Sequence, residues 1–145
     1  MKPGIAMLLT VLLVNGAPQS SVAGKWDVSV EAARRNTEDG GSVSRSAQQF
    51  LLDLTVDGAK ATATLTQRRG PGSPWTMSGS WQQGRLELAS AWRDIPITNN
   101  GKPSTARARY IIHVGLSAET LTGTCELAFE KGEPMPQPCA ARRAK

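Results

Sequence analysis

Apolar and polar side chains alternate with a period of two along most of this chain. Trp26, Val28 and Val30 alternate with Lys25, Asp27, Ser29 and Glu31. Phe50, Leu52, Leu54 and Val56 share one face of residues 47–56. In residues 59–67, Ala61, Ala63 and Leu65 alternate with Lys60, Thr62, Thr64 and Thr66. Residues 75–81 carry Trp75, Met77, Gly79 and Trp81 on one face, and residues 85–92 set Leu86 and Leu88 against Arg85 and Glu87. Residues 105–115 and 120–129 continue the pattern, the latter with Leu121, Gly123, Cys125, Leu127 and Phe129 on one face. A period of two is that of an extended strand with one buried and one solvated face.

Turn residues separate these segments. Asp57-Gly58 and Gln82-Gln83-Gly84 read as tight turns, and residues 116–119 as a third. Residues 69–74, 94–104 and 130–138 read as loops, the second because it holds two prolines and Asn99-Asn100-Gly101. Residues 33–46 form a polar, glycine-containing gap, and residues 139–143 a short last strand. The result is about eight strands in an antiparallel up-and-down meander, because short connections pair sequential strands antiparallel. An all-β meander of this size leaves two raw edges unless it closes, so a small barrel is expected. Gly79 and Gly123 inside strands fit the sharp bends of a closed sheet.

The chain begins differently. Lys2 precedes an apolar run over residues 5–14, long enough for the core of an export signal and too short to span a bilayer. Residues 1–23 therefore read as a signal peptide and residues 24–145 as a single domain. Ser21-Val22-Ala23 favours cleavage before Gly24; Asn15-Gly16-Ala17 is the weaker position because Pro18 follows it. The location implied is periplasmic or secreted. In such a compartment Cys125 and Cys139 are expected to pair, and a hairpin centred near Gly132 would set them opposite each other.

Charge adds little. The formal net charge is +5, but the basic residues are scattered through Arg34-Arg35, Arg68-Arg69, Arg107, Arg109 and Arg142-Arg143. A nucleic-acid partner would call for a concentrated basic stripe with stacking aromatics, and none is expected. The single histidine, His113, shares a strand face with Arg107, Arg109 and Ile111 and reads as a half-exposed strand residue. No metal, cofactor, nucleophile elbow or phosphate loop is indicated, and the chain is not read as an enzyme.

Gly24-Lys25-Trp26, heading the first strand of an eight-strand meander, resembles the lipocalin signature and more widely the calycin barrels, avidins included. Together with Leu54-Thr55-Val56-Asp57-Gly58 and Leu121-Thr122-Gly123-Thr124, it is most similar to short exported bacterial barrels of unassigned function. The resemblance implies that Gly24 admits the chain closely to the barrel and that Trp26 plugs its closed end. It further implies that Arg142 or Arg143 packs over that indole, a guanidinium stacking well on an aromatic face. The remaining lipocalin signatures and the biotin-contacting tryptophans of avidins have no counterpart here, so no ligand is carried over.

Two functions follow. The first is a binding barrel for a small apolar or amphipathic ligand, lined by Trp75, Met77, Trp81, Leu88 and Tyr110, with Ala61, Ala63, Ala106 and Ala108 leaving room. Against it stands ordinary filling of the interior by these same side chains. The second is an envelope protein-interaction module, such as a protease or lysozyme inhibitor, acting through residues 33–46 and 94–104. An interior void favours the first; a filled interior with ordered projecting segments favours the second.

Overall fold

The alternating segments fold into a closed antiparallel barrel. The computed structural model describes residues 22–70 and 72–145, so most of the expected leader lies outside the described residues. The strands are β1 (Gly24–Val30), β2 (Ala33–Asn36), β3 (Ser42–Arg45), β4 (Gln48–Asp57), β5 (Lys60–Gln67) and β6 (Trp75–Gln82). They continue as β7 (Arg85–Ser90), β8 (Arg93–Asn99), β9 (Lys102–Ser117), β10 (Thr120–Phe129) and β11 (Gln137–Arg143). The order β10-β11-β1-β4-β5-β6-β7-β9 closes through pairing of β9 with β10, so eight strands form the wall. Closure leaves this wall without a free edge. No described helix is long and apolar enough to cross a membrane.

The period-two pattern sets the register. Trp26 lies opposite both Leu52 and Arg143, Leu54 opposite Ala63, and Ala63 opposite Met77. Trp26–Leu52, Leu54–Ala63 and Ala63–Met77 put apolar side chains on the same inward face, and Arg143 shares the parity of Trp26 at the end of that face. The interior is one continuous cluster in which Trp26, Leu52, Leu65, Met77, Leu86, Leu88, Ile112 and Leu121 are fully buried. Ala61, Ala63 and Ala108 belong to that cluster, whereas Ala106 lies beyond the wall, opposite Ile95.

Two glycines are dictated by the closure. A Cβ on Gly79 would lie 1.8 Å from the Glu87 carbonyl oxygen, and one on Gly123 would lie 2.1 Å from that of His113. Both share the strand parity of the inward columns but are themselves exposed, and the neighbouring backbone approaches too closely for any side chain.

Three expectations are corrected, and a choice left open is decided. Residues 33–46 are not a loop: β2 and β3 form a short hairpin, its turn fastened by Thr37 N–H to Gly41 O at 2.9 Å and Gly41 N–H to Asp39 Oδ1 at 3.1 Å. Residues 94–104 are not a loop either. They supply β8 and the start of β9, joined at Asn100 and Gly101, whose φ values of 52° and 78° make a left-handed two-residue turn. The prolines were misleading because each lies where an edge tolerates it: Pro96 on β8, which pairs only with β9, and Pro103 on β9 before β10 joins at Ala108. The cysteines form the expected disulfide, with Cα atoms 5.8 Å apart, but diagonally rather than opposite. Cys125 faces Gln137 and Cys139 faces Gly123, because β11 starts at Gln137 and the register is shifted by two residues. Finally, Arg143 rather than Arg142 covers Trp26.

Candidate functional site

The two ends of the barrel differ. At one end Trp26 is 1 % exposed, and its Nε1–H donates to the Val22 carbonyl oxygen at 2.8 Å. The Arg143 guanidinium lies 4.3 Å from the indole centre and donates from Nη1 to Ala23 O at 2.6 Å. Gly24, with φ of 125°, passes so close that a Cβ would lie 2.9 Å from Arg143 Nη1. The parity of β11 explains the choice of arginine. Arg143 pairs with inward-facing Trp26, whereas Arg142 pairs with Asp27 on the outer face. Gly24 and Trp26 thus have the structural places expected of them, and this end is shut.

The other end is open and framed by both hairpins. β2–β3 leaves the barrel after Val30, and the β8–β9 ribbon leaves it beyond Ser90 and Ala108. Below the ribbon lies a cleft of about 410 Å³, with Phe50, Trp75, Tyr110, Ile95 and Leu127 as its apolar lining and Gln48, Gln67 and Arg93 among its polar lining. Its aromatic floor is built by contact. Phe50 meets Tyr110 edge-on with centroids 5.3 Å apart, and Trp75 lies tilted against Tyr110 at 6.1 Å. Arg93 fixes one wall: its guanidinium lies 3.5 Å from the Trp75 ring centre and donates to Pro74 O at 2.7 Å and Ser73 O at 2.8 Å.

Tyr110 is the chemically distinctive group. The residue is 3 % exposed, and its backbone N–H is bonded to Ser90 Oγ at 2.9 Å. Burial pushes the phenol well above its ordinary ionisation range, so it stays protonated and able to donate. Inward-facing polar residues around the mouth divide into two kinds. Ser90 Oγ accepts from the Tyr110 backbone N–H, and Gln137 Nε2 donates to Glu31 O at 2.8 Å, so both are spent on backbone. Gln48 and Gln67, on the inward parity of β4 and β5, have no such partners among the described residues.

Of the five residues expected to line a ligand site, Trp75 and Tyr110 line this cleft. Met77, Trp81 and Leu88 lie at 1–3 % exposure within the buried cluster and are not among the residues that line the cleft. Sequence reasoning missed Gln48, Phe50, Gln67, Arg93, Ile95 and Leu127. Strand parity could have found the two glutamines; Ile95 was concealed by reading 94–104 as a loop. His113 is exposed on the outer face opposite Glu87 and Thr124. Among the described residues no group of three or more His, Cys, Asp or Glu could hold a metal. Comparison with family models and with curated proteins finds no match for the chain. The eight-strand closed barrel agrees with the calycin-type architecture that the sequence resembles.

Proposed function

We propose that this chain is an exported binding barrel, not an enzyme, that holds a small apolar or amphipathic molecule at its open end. The observation that carries this reading is the aromatic-floored cleft between the mouth and the β8–β9 ribbon. Its volume of about 410 Å³ falls in the range of small-molecule sites, roughly 300–1,000 Å³. A mainly apolar lining with a few convergent polar groups is what such sites require. The site is therefore read at the mouth, above the packed interior. Export is supported by the Cys125–Cys139 disulfide, since such bonds persist in oxidising compartments.

The test is titration with an apolar fluorescent probe, anilinonaphthalene sulfonate. Saturable binding that is lost in Trp75→Ala and in Ile95→Asp, but kept in Trp92→Phe, whose ring stacks under Arg109 and is not among the cleft-lining residues, supports the reading. Binding that is absent, or indifferent to the cleft substitutions, refutes it.

A second reading has its own observation. Both segments expected to carry partner contacts are ordered hairpins at the same end of the barrel, and they are stitched to it. Arg35 Nη1 donates to Pro134 O at 2.8 Å, and Arg107 Nε lies 3.2 Å from Glu130 Oε2. Ordered projecting hairpins suit an inhibitor of an envelope protease or lysozyme. Inhibition assays against both enzyme classes test this reading: inhibition lost on shortening the 37–41 or 99–102 turn supports it, and no inhibition sinks it.

A further inference from the structure

An aromatic floor by itself does not choose the charge of its ligand. Phe50, Trp75 and Tyr110 suit an apolar body, and ring faces of this kind also attract cations. The protein has already placed a cation there. The Arg93 guanidinium lies 3.5 Å from the Trp75 ring centre, so the indole carries a positive charge against its face before any ligand arrives. A cationic head beside it would be repelled.

Arg93 lacks a counter-charge of its own, for it forms no ion pair among the described residues. It opens β8 on the half-buried face that also carries Ile95 and Ile97. Asp94, the one carboxylate among the cleft-lining residues, belongs to the exposed face of β8 and lies 3.8 Å from Arg107 Nη1. The Pro74 and Ser73 carbonyls take two of the five N–H groups of the Arg93 guanidinium, which leaves the others for further acceptors. Partial burial pulls the Arg93 pKa below its ordinary value, as it does for a positive charge whose surroundings solvate it less well than water. An anion in the cleft would supply the missing charge, and a carboxylate matches the planar fork of a guanidinium.

We propose that the molecule held at the mouth is an amphipath with an anionic head, its apolar body lying on Phe50, Trp75 and Tyr110 and its carboxylate pairing with Arg93. This rests on the reading of the cleft as the ligand site and adds the charge class of the ligand to it.

Isothermal titration calorimetry of the protein at neutral pH and low salt with octanoate, octanol and octylammonium, each below its micelle concentration, tests the proposal. The three share one apolar tail and differ in the charge of the head. Octanoate is expected to bind about tenfold tighter than octanol, as one added charge-assisted hydrogen bond would give, and octylammonium more weakly than either. The ratio of octanoate to octanol affinity should fall to near unity in Arg93→Gln and persist in Arg93→Lys. It should also persist in Arg69→Gln, since Arg69 lines the neighbouring groove and not the cleft. Octanol or octylammonium binding as tightly as octanoate overturns the proposal alone, as does a preference that survives in Arg93→Gln or is lost in Arg69→Gln. Should Arg93→Gln bind neither ligand, Arg93→Lys decides: a preference kept there supports the pairing, and its loss overturns it. No binding of any of the three by the parent protein overturns the proposal together with the mouth-cleft reading.

Discussion

Replacing Gly79 or Gly123 by alanine adds one methyl group at a place where the barrel has no room for it. At Gly79 the new carbon would meet the Glu87 carbonyl oxygen at 1.8 Å and the Glu87 carbonyl carbon at 2.8 Å. At Gly123 it would meet the His113 oxygen at 2.1 Å and the Val114 Cα at 2.9 Å. Carbon and oxygen normally stand more than 3 Å apart, so the neighbouring strand must retreat by over an ångström. The obstructing atoms are backbone, which no rotamer change can move aside. Retreat also lengthens the ladder bonds of β6 with β7, or of β9 with β10. Overpacking costs about 1–3 kcal/mol, and each weakened ladder bond about 0.5–1.5 kcal/mol. The expected loss is thus about 3 kcal/mol for either variant, lowering Tm by about 10 °C in a domain of this size. Gly115→Ala supplies an internal control. It is also a strand glycine, but its nearest neighbours beyond the adjacent residues lie 3.8 Å away. There alanine should be neutral or stabilising by about 0.5–1 kcal/mol, through reduced freedom of the unfolded chain. Urea denaturation followed by circular dichroism measures all three. Gly79→Ala and Gly123→Ala falling within 0.5 kcal/mol of the parent, or all three variants losing equally, would refute the argument from backbone approach.

Reduction of Cys125–Cys139, or Cys125→Ala with Cys139→Ala, should cost about 3 kcal/mol for a loop of 14 residues, read from the shift in urea midpoint. Trp26→Ala should cost about 3–5 kcal/mol, as truncation of a fully buried indole does. Arg143→Ala should cost about 1 kcal/mol through its lost ring and Ala23 contacts, whereas Arg142→Ala should stay within about 0.5 kcal/mol; equal effects of the two arginines would contradict the assigned pairing. Tyr110 is the single tyrosine of the chain, so the phenolate absorbance that appears on ionisation, above the tryptophan background, belongs to it. Because burial raises its folded pKa above the ordinary value of 10.0, its contribution to stability is present below pH 10 and is lost as pH rises beyond that. The phenolate signal should appear only with unfolding; titration at the ordinary value with the barrel intact would show an open Tyr110.

Strand parity made most of the barrel legible. The inward columns beginning at Trp26, Phe50, Ala61, Trp75 and Leu86 follow from alternation alone, and one face burying apolar side chains leaves a single register that works. Gly79 and Gly123 were legible for a related reason, since they share the parity of the inward columns and carry no side chain there. What failed was local. Pro96 and Pro103 carry the composition of a loop, but composition does not reveal whether a strand has a neighbour on both sides. The tight turn at Asn100-Gly101 was the stronger signal and was outweighed by the prolines. The site suffered from the same error. Once residues 94–104 are read as a loop, nothing roofs the mouth, and the ligand is sought in the interior beside Met77, Trp81 and Leu88. The true depth of packing depends on how far facing side chains interpenetrate across the barrel, which one-dimensional alternation does not encode.

The closed end bears on where an exported chain begins. The favoured cleavage position, before Gly24, would remove Val22 and Ala23. Val22 is 0 % exposed, and its carbonyl accepts the Trp26 indole N–H at 2.8 Å. Ala23 O accepts from Arg143 at 2.6 Å. Cutting there would strip an apolar side chain from the plug, a loss of about 1.5–3 kcal/mol. It would also leave the buried indole N–H without its acceptor, at about 1–3 kcal/mol more. The small residues at Ser21 and Ala23 suit a peptidase, but the folded barrel uses Val22 as part of its plug. Packing therefore favours the upstream position after Ala17, despite Pro18. The expected exported chain retains Val22 and Ala23, which the intact mass of protein recovered from the envelope decides directly. Comparing chains that start at Pro18 and at Gly24 completes the test: the longer should be more stable by several kcal/mol. A native mass that begins at Gly24, with equal stability of the two chains, would show that the plug closes without Val22.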